Sequence, residues 1–391
     1  MDAEAEPFTK RPTLTLGERF RSFATSRRGK LALAVGAGVL LLGLVGFVAY
    51  VRYFAPESTS SSIDSLLPSL TVNEGPKTTP ALLDGSGVTE ELASRRPLAV
   101  MVENHPDARP QAGLNDASVV FEAIVEGGIT RFMAVFGPHE AKKIGPVRSA
   151  RPAYVAYAAG WKALYVHAGG SQGGLAAITS TKEIVDLPHT AAYFQREPKP
   201  GIASEHTLFT SSEQLYKFAA DKEATLSADF TPWTFVDDPA LEKRGGEATI
   251  AINFSTTTYT AEWTYDRTEN TYLRSLAGSE HKDRMTGDRL TAKNVVAITV
   301  ERQHNPNTNQ GKGEWTMTTE GSGTALLFQN GQVTEGKWKK DGVGSMLRFY
   351  DANGKELSLV RGRTWIEVVP PEISVVHSEK PYEAPAATTS E

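Results

Sequence analysis

The longest uncharged apolar run in the chain is residues 31–51, LALAVGAGVLLLGLVGFVAYV. About 20 apolar residues wound as a helix cross a ~30 Å hydrocarbon layer, so this run predicts a membrane span. A secretory signal has a shorter apolar stretch followed by a small-residue cleavage site, whereas here the run leads into Tyr50, Val51, Arg52, Tyr53 and Phe54. Between residues 11 and 30 lie Arg11, Arg19, Arg21, Arg27, Arg28 and Lys30 against the single acid Glu18, and downstream only Arg52 is close. The excess of positive charge before the span places residues 1–30 in the cytoplasm and the remainder on the extracytoplasmic side of a cell membrane crossed once.

Periodicity lapses after the span. Residues 52–96, with Ser58 to Ser62 and then Pro76, Thr78, Thr79 and Pro80, read as a flexible tether. From 97 short apolar runs alternate with helical patterns. Leu98 to Val102, Arg131 to Phe136 and Ala163 to His167 read as strands, Ala117 to Val125 as an apolar run of either type, and Ala150 to Ala159 and Leu175 to Val185 as helices. This alternation predicts a mixed α/β domain over 97–228. From 229 the texture becomes that of hairpins, with Asn330-Gly331 and Asn353-Gly354 supplying the positive φ values of tight turns. A smaller, mainly antiparallel β-rich domain over 229–378 is expected, then a disordered tail over 379–391. The fold class is therefore α+β or α/β behind an N-terminal transmembrane helix.

Composition narrows the function. The 391 residues are 40% hydrophobic and 22% charged with a net charge of −5, which lacks the basic excess of a nucleic-acid binder. No cysteine is present, which excludes disulfides, thiolate metal sites, cysteine nucleophiles and a lipid-modified cysteine. The eight histidines include no close H-x-x-x-H pair, so no metal site and no cofactor are expected.

Four segments of the first domain and several of the second carry a resemblance. They are Asn104 to Leu114 (NHPDARPQAGL), Glu126 to Phe132 (EGGITRF), Gly145 to Pro152 (GPVRSARP) and His167 to Ser171 (HAGGS), with Thr291 to Val295, Phe349 to Asp351 and Thr364 to Ile366 further on. Over roughly 97–370 the chain resembles the YerB-like family of bacterial lipoproteins. That resemblance implies an extracytoplasmic, two-part domain of unknown function. With no cysteine to acylate, the span at 31–51 is the expected anchor.

GPVRSARP holds the first candidate site. Ser149 reads as a helix N-cap, with Ala150 and Arg151 as the first helical residues and Pro152 tolerated in the first turn. Arg148 and Arg151 would then face the positive end of the helix dipole, a conflict of about 0.3–1 kcal/mol that a bound anion removes. The plain alternative is an internal ion pair with Glu103, Glu122 or Glu126. Arg109, Asn104 and His105 follow a strand end, where α/β folds present ligand-binding groups, and Arg131 joins the same set. The glycine-rich turn after His167, through Gly170 and Ser171, has backbone N–H groups suited to a phosphate or carboxylate. The pattern around Ser171 also fits a nucleophile elbow, which would need His189 or His206 as base with Asp186 or Glu205 as acid. His105, His167 and His206, each beside a motif, are separate candidates as acid-base groups or anion donors.

Three functions remain open from the sequence. The favoured one is a cell-envelope binding or regulatory module that recognises an anionic ligand or partner through Arg109, Arg131, Arg148 and Arg151. The others are a hydrolase or transferase acting on envelope polymers through Ser171 or a histidine, and a purely structural partner-binding protein.

Overall fold

The computed structural model describes residues 78–308 and 313–382. The N-terminus expected to be cytoplasmic, the expected membrane span at 31–51, most of the expected tether and all but the first residues of the 379–391 tail lie outside them. Among the described residues no helix is long and apolar enough to cross a membrane. The architecture is mixed and strand-rich with few helices.

Ten strands form the central sheet. From one edge the order is Arg348–Asp351, Gln332–Lys340, Gly321–Gln329, Asn294–Thr299 and Thr364–Val369, then Val119–Glu126, Ile129–Phe136, Leu98–Glu103, Leu164–His167 and Val185–Pro188. The first five come from the half expected to be β-rich and the last five from the half expected to be α/β. The expected boundary at 228/229 therefore marks no break in the sheet. The halves meet where Thr364–Val369 runs parallel to Val119–Glu126.

Strands such as Leu98–Glu103 and Val119–Glu126 are buried on both faces, which is why they read as continuous apolar runs. Leu98, Val100 and Val102 face one core with Ile250, Ile252, Trp263 and Tyr272 of a second, six-stranded sheet and with Leu215 and Phe218 of the helix Ser212–Asp221. Ala99 and Met101 alternate to the other face, where Tyr154, Val155 and Ala158 of the helix Pro152–Ala159 cover them.

Several expectations shift. Residues 78–96 are folded, with a two-stranded pairing of Thr79–Pro80 and Gly87–Val88, the short helix Glu90–Ala93, and Ala81, Leu83 and Asp84 buried. The helix expected over 175–185 is Gln172–Ser180, and Val185 begins a strand. Asn330 and Gly331 do turn the hairpin between Gly321–Gln329 and Gln332–Lys340, with φ of 58° and 71°. The Asn353-Gly354 turn returns only as far as a bridge from Tyr350 to Glu356, and Leu359–Val360 instead pairs in parallel with Phe235–Val236.

At the junction of the halves the register places Glu122 directly opposite Glu367. Like charges facing each other across neighbouring strands repel, and here both are fully buried. Arg274, from the strand Thr271–Leu276 of the second sheet, answers both. Its guanidinium pairs with Glu122 and, at 2.8 Å, with Glu367 Oε1. It lies 4.4 Å from the ring centre of Trp365 and 4.9 Å from that of Trp263, whose indole N–H donates to Glu367 at 3.0 Å. One cation between two carboxylates leaves a negative charge too many for a dry interior. Burial, only partly opposed by Arg274, pushes the Glu367 carboxyl up to about 8.

Removing Arg274 strands the two glutamates, so Arg274→Met is expected to cost about 3–5 kcal/mol in urea unfolding. The folded chain also retains a proton on Glu367 that the unfolded chain releases near pH 4.5. The stabilisation from that proton is complete below about pH 4.5 and is lost as pH rises through about 8. Unfolding free energies measured from pH 5 to pH 9 should fall more steeply in the wild type than in Glu367→Gln. Parallel curves would show that Glu367 is ionised throughout.

Candidate functional site

Glu103 ends the strand Leu98–Glu103 with its side chain only 2% exposed. Its carboxylate pairs with Arg148, lies 3.8 Å from Arg131, and accepts the backbone N–H groups of Asn104 and His105 at 3.2 Å each. Burial pushes this carboxyl up, but Arg131, Arg148 and the His105 N–H outweigh it and hold it below the ordinary range. It is therefore ionised at neutral pH. Glu126, at the end of the next strand, receives Arg131 at 3.2 Å and Arg151 at 2.5 Å and is likewise held low against its burial.

These two carboxylates change the meaning of GPVRSARP. Arg148 belongs to Glu103, and Arg131 and Arg151 belong to Glu126. The helix begins two residues later than expected, at Pro152, with Arg151 as its N-cap and no side-chain cap. Ser149 is not that cap; its hydroxyl donates to the Ala168 carbonyl at 3.2 Å and its own carbonyl accepts from Arg131. The corner that the sequence offered to an external anion is filled by the protein's own glutamates.

The glycine-rich turn tells the same story. Ser171 caps the helix Gln172–Ser180, accepting from the Gly174 N–H at 3.0 Å. Its hydroxyl donates to Glu314, whose other oxygen accepts the Gly173 N–H at 3.2 Å. The helix terminus thus already holds a carboxylate, delivered by the strand Glu314–Met317. Gly170 packs against Leu175 and Ala150, leaving 3.0 Å and 3.3 Å to an added Cβ. His167 turns to Asp186 at 2.9 Å and to the Gly169 carbonyl at 2.6 Å. Among the described residues Ser171 makes no hydrogen bond with a histidine, and it is fully buried, so the geometry gives it neither a base nor access.

Asn104, His105, Arg109 and His206 do come together. Buried Asn104 donates to Thr130 at 2.7 Å and to Glu122 at 3.3 Å, which ties this loop to the central ion triad. Gln111 bridges onward from Asn104 Oδ1 at 2.9 Å to His281, which in turn accepts from Arg274 at 3.1 Å. The segment around His281 is therefore a buried link and not the plain turn it resembles in sequence. Arg109 donates to the Asn104 carbonyl and side-chain oxygens and, at 3.0 Å, to the Thr258 carbonyl. All of these acceptors are neutral.

Arg109 and His206 line a cleft of about 180 Å³ together with Asp107, Glu197, Lys199 and Arg284. Arg284 reaches Glu197 at 3.0 Å, and Lys143 reaches the same carboxylate at 2.5 Å. Phe209 and Glu197 also border a neighbouring cavity of about 420 Å³ that includes Lys143 and Tyr193. Lys199 and Arg284 were invisible as site residues in the sequence, because neither sits in a motif and only the folded chain brings them to Arg109.

Comparison with known proteins places this arrangement. Residues 83–225 match the family described as "Protein of unknown function (DUF3048) N-terminal domain", and residues 250–366 match its C-terminal domain. The chain is 35% identical over 297 residues to the Bacillus subtilis (strain 168) protein described as "Putative lipoprotein YerB", covering 74% of this chain and 86% of that one. The chain belongs to this YerB-like family. The crystal structure of YerB from Bacillus subtilis superposes with a TM-score of 0.66 at 32% identity, over 76% of this chain and 99% of that one. The two family domains are matched separately in sequence, yet in space both contribute to the ten-stranded sheet.

The capping account of the YerB-like turn is open to measurement. Ser171→Ala should lower stability by about 1 kcal/mol in urea unfolding, the usual cost of losing an N-cap. Gly174→Ala should cost more, because its Cβ would lie 2.6 Å from the Ala150 carbonyl oxygen. An unchanged Ser171→Ala midpoint would mean that the hydroxyl is not structural.

Proposed function

We propose that this protein is a membrane-anchored, extracytoplasmic binding module of the bacterial cell envelope whose cleft receives a small anionic group. Residues 31–51 serve as the anchor in place of the lipid that the name of the YerB relative implies, since this chain has no cysteine to carry one. The N-terminus is cytoplasmic and the folded body lies outside.

The observation that carries the anion reading is Arg109. A guanidinium on the wall of a cleft, bonded only to neutral oxygens, keeps its charge available to a ligand. Lys199 adds a second cation and Arg284 a third, while of the two acids nearby Glu197 is already shared between Arg284 and Lys143. The volume suits a carboxylate or phosphate group presented at the end of a larger molecule. Arg131, Arg148 and Arg151 act in this reading as internal braces that hold the Asn104 to Arg109 loop at the strand end.

Inorganic phosphate, a glycerol-phosphate oligomer and a peptide with a free C-terminal carboxylate provide the test, by calorimetric titration at low salt. At least one should bind, with affinity falling as salt rises. Arg284→Ala with Lys199→Ala, both at exposed positions, should weaken that binding tenfold or more without lowering the melting temperature of the unliganded protein. Binding that is unchanged in this double variant, or absent for all three probes, contradicts the proposal.

A further inference from the structure

A second feature borders the same cleft and does not depend on what the cleft binds. His105, Asp107 and His206 offer ligand atoms that all lie within 4.8 Å of one another. We propose that these three side chains form a binding site for a divalent transition-metal ion of the zinc type.

The chemistry of the set is suitable. Two imidazoles and one carboxylate are ordinary ligands of zinc, and three protein ligands leave a coordination position open to water or to another group. The spacing is suitable too. His105 Nδ1 lies 3.7 Å from Asp107 Oδ2 and accepts the Asp107 backbone N–H at 3.3 Å, a capping contact that it gives up if it ligates an ion. Two ligand atoms each about 2.1 Å from a tetrahedral zinc ion are separated by about 3.4 Å. The fold supplies this pair locally, because His105 caps the single turn Pro106–Ala108 and Asp107 lies within that turn. His206 is brought in from the distant turn Ser204–His206, its ring stacked on that of His105 with centroids 4.7 Å apart and planes inclined by 12°, so the two rings turn out of this stack to point their nitrogens at one ion.

An independent observation at His206 points the same way. Its side chain is only 9% exposed, yet its Nδ1 has no hydrogen-bond partner. A buried imidazole nitrogen left without a partner is costly unless something else engages the ring. The carboxylate that faces it, Glu103 Oε2, is 3.7 Å away, beyond hydrogen-bonding distance but on the side from which a carboxylate orients a metal-bound histidine. An ion drawn to the ring's other nitrogen would bring His206 into such a relay. Asp107 and His206 both line the cleft, so the open coordination position would border it.

The test uses the full chain, without a histidine tag, stripped of metal in a detergent that does not chelate. Titration with Co(II), read by its visible absorption, and with Zn(II), read by calorimetry, should give one ion per chain. His206→Gln and Asp107→Asn should each weaken binding tenfold or more and alter the Co(II) spectrum. Asp107 is exposed, so the second variant decides the matter even if the first fails to fold. The absence of one-to-one binding, or binding and spectrum unchanged in Asp107→Asn, overturns the proposal. Either result is separable from anion binding, which is measured on the metal-stripped protein with Arg284→Ala and Lys199→Ala.

Discussion

The two large sheets of the described residues meet at one buried cation between two buried carboxylates. The parallel register of Val119–Glu126 against Thr364–Val369 puts Glu122 opposite Glu367, and Arg274 is the cation that pairs with both. Because Arg274 belongs to the second sheet, the same interaction that neutralises the junction also clamps one sheet upon the other. Trp263 and Trp365 enclose the guanidinium and keep the electrostatics in a dry setting, where an unpaired group would be far more costly than in water. The division into two family domains is thus one of sequence, while the packing is continuous.

The triad also reaches the surface. Glu122 receives Asn104, Asn104 receives Arg109 and Gln111, and Gln111 meets His281, which accepts from Arg274. This closed circuit of hydrogen bonds holds the loop after the strand Leu98–Glu103 in one conformation. It presents Arg109 to the cleft on a rigid support. The two corners that look most receptive to anions are closed from within, one by Glu103 and Glu126, the other by Glu314 at a helix terminus. Internal carboxylates satisfy the arginines of GPVRSARP, whereas Arg109, on the wall of the cleft that Lys199 and Arg284 also line, bonds to neutral oxygens.

The strand runs at 98–102, 131–136 and 163–167 were legible because a strand buried on both faces is apolar at every position, and Asn330-Gly331 was legible because its turn demands positive φ at both residues. Residues 78–96 were not, since their order comes from contacts such as that of Asp84 with Ser118, distant in sequence and absent from any local pattern. Arg274 was hidden for a similar reason. In the alternation of Thr271–Leu276 it occupies an inward position, but its partners lie 152 and 93 residues away. GPVRSARP was recognisable as an arginine cluster in need of negative charge; what supplied that charge depended on which glutamates the sheet brought alongside. His105 and His206 likewise form a pair only in the folded chain, which is why spacing along the sequence excluded a metal site there.

The most direct measurement of this account is a crystal structure of the protein grown in selenate, whose anomalous scattering marks where a tetrahedral oxyanion settles. The account predicts a peak in the cleft among Arg109, Lys199 and Arg284, with Glu103, Glu126 and Glu314 still paired to their internal partners. A peak at Arg148 and Arg151, or in the turn before Gly174 with Glu314 displaced, would contradict it and return GPVRSARP or the glycine-rich turn to the role of ligand site.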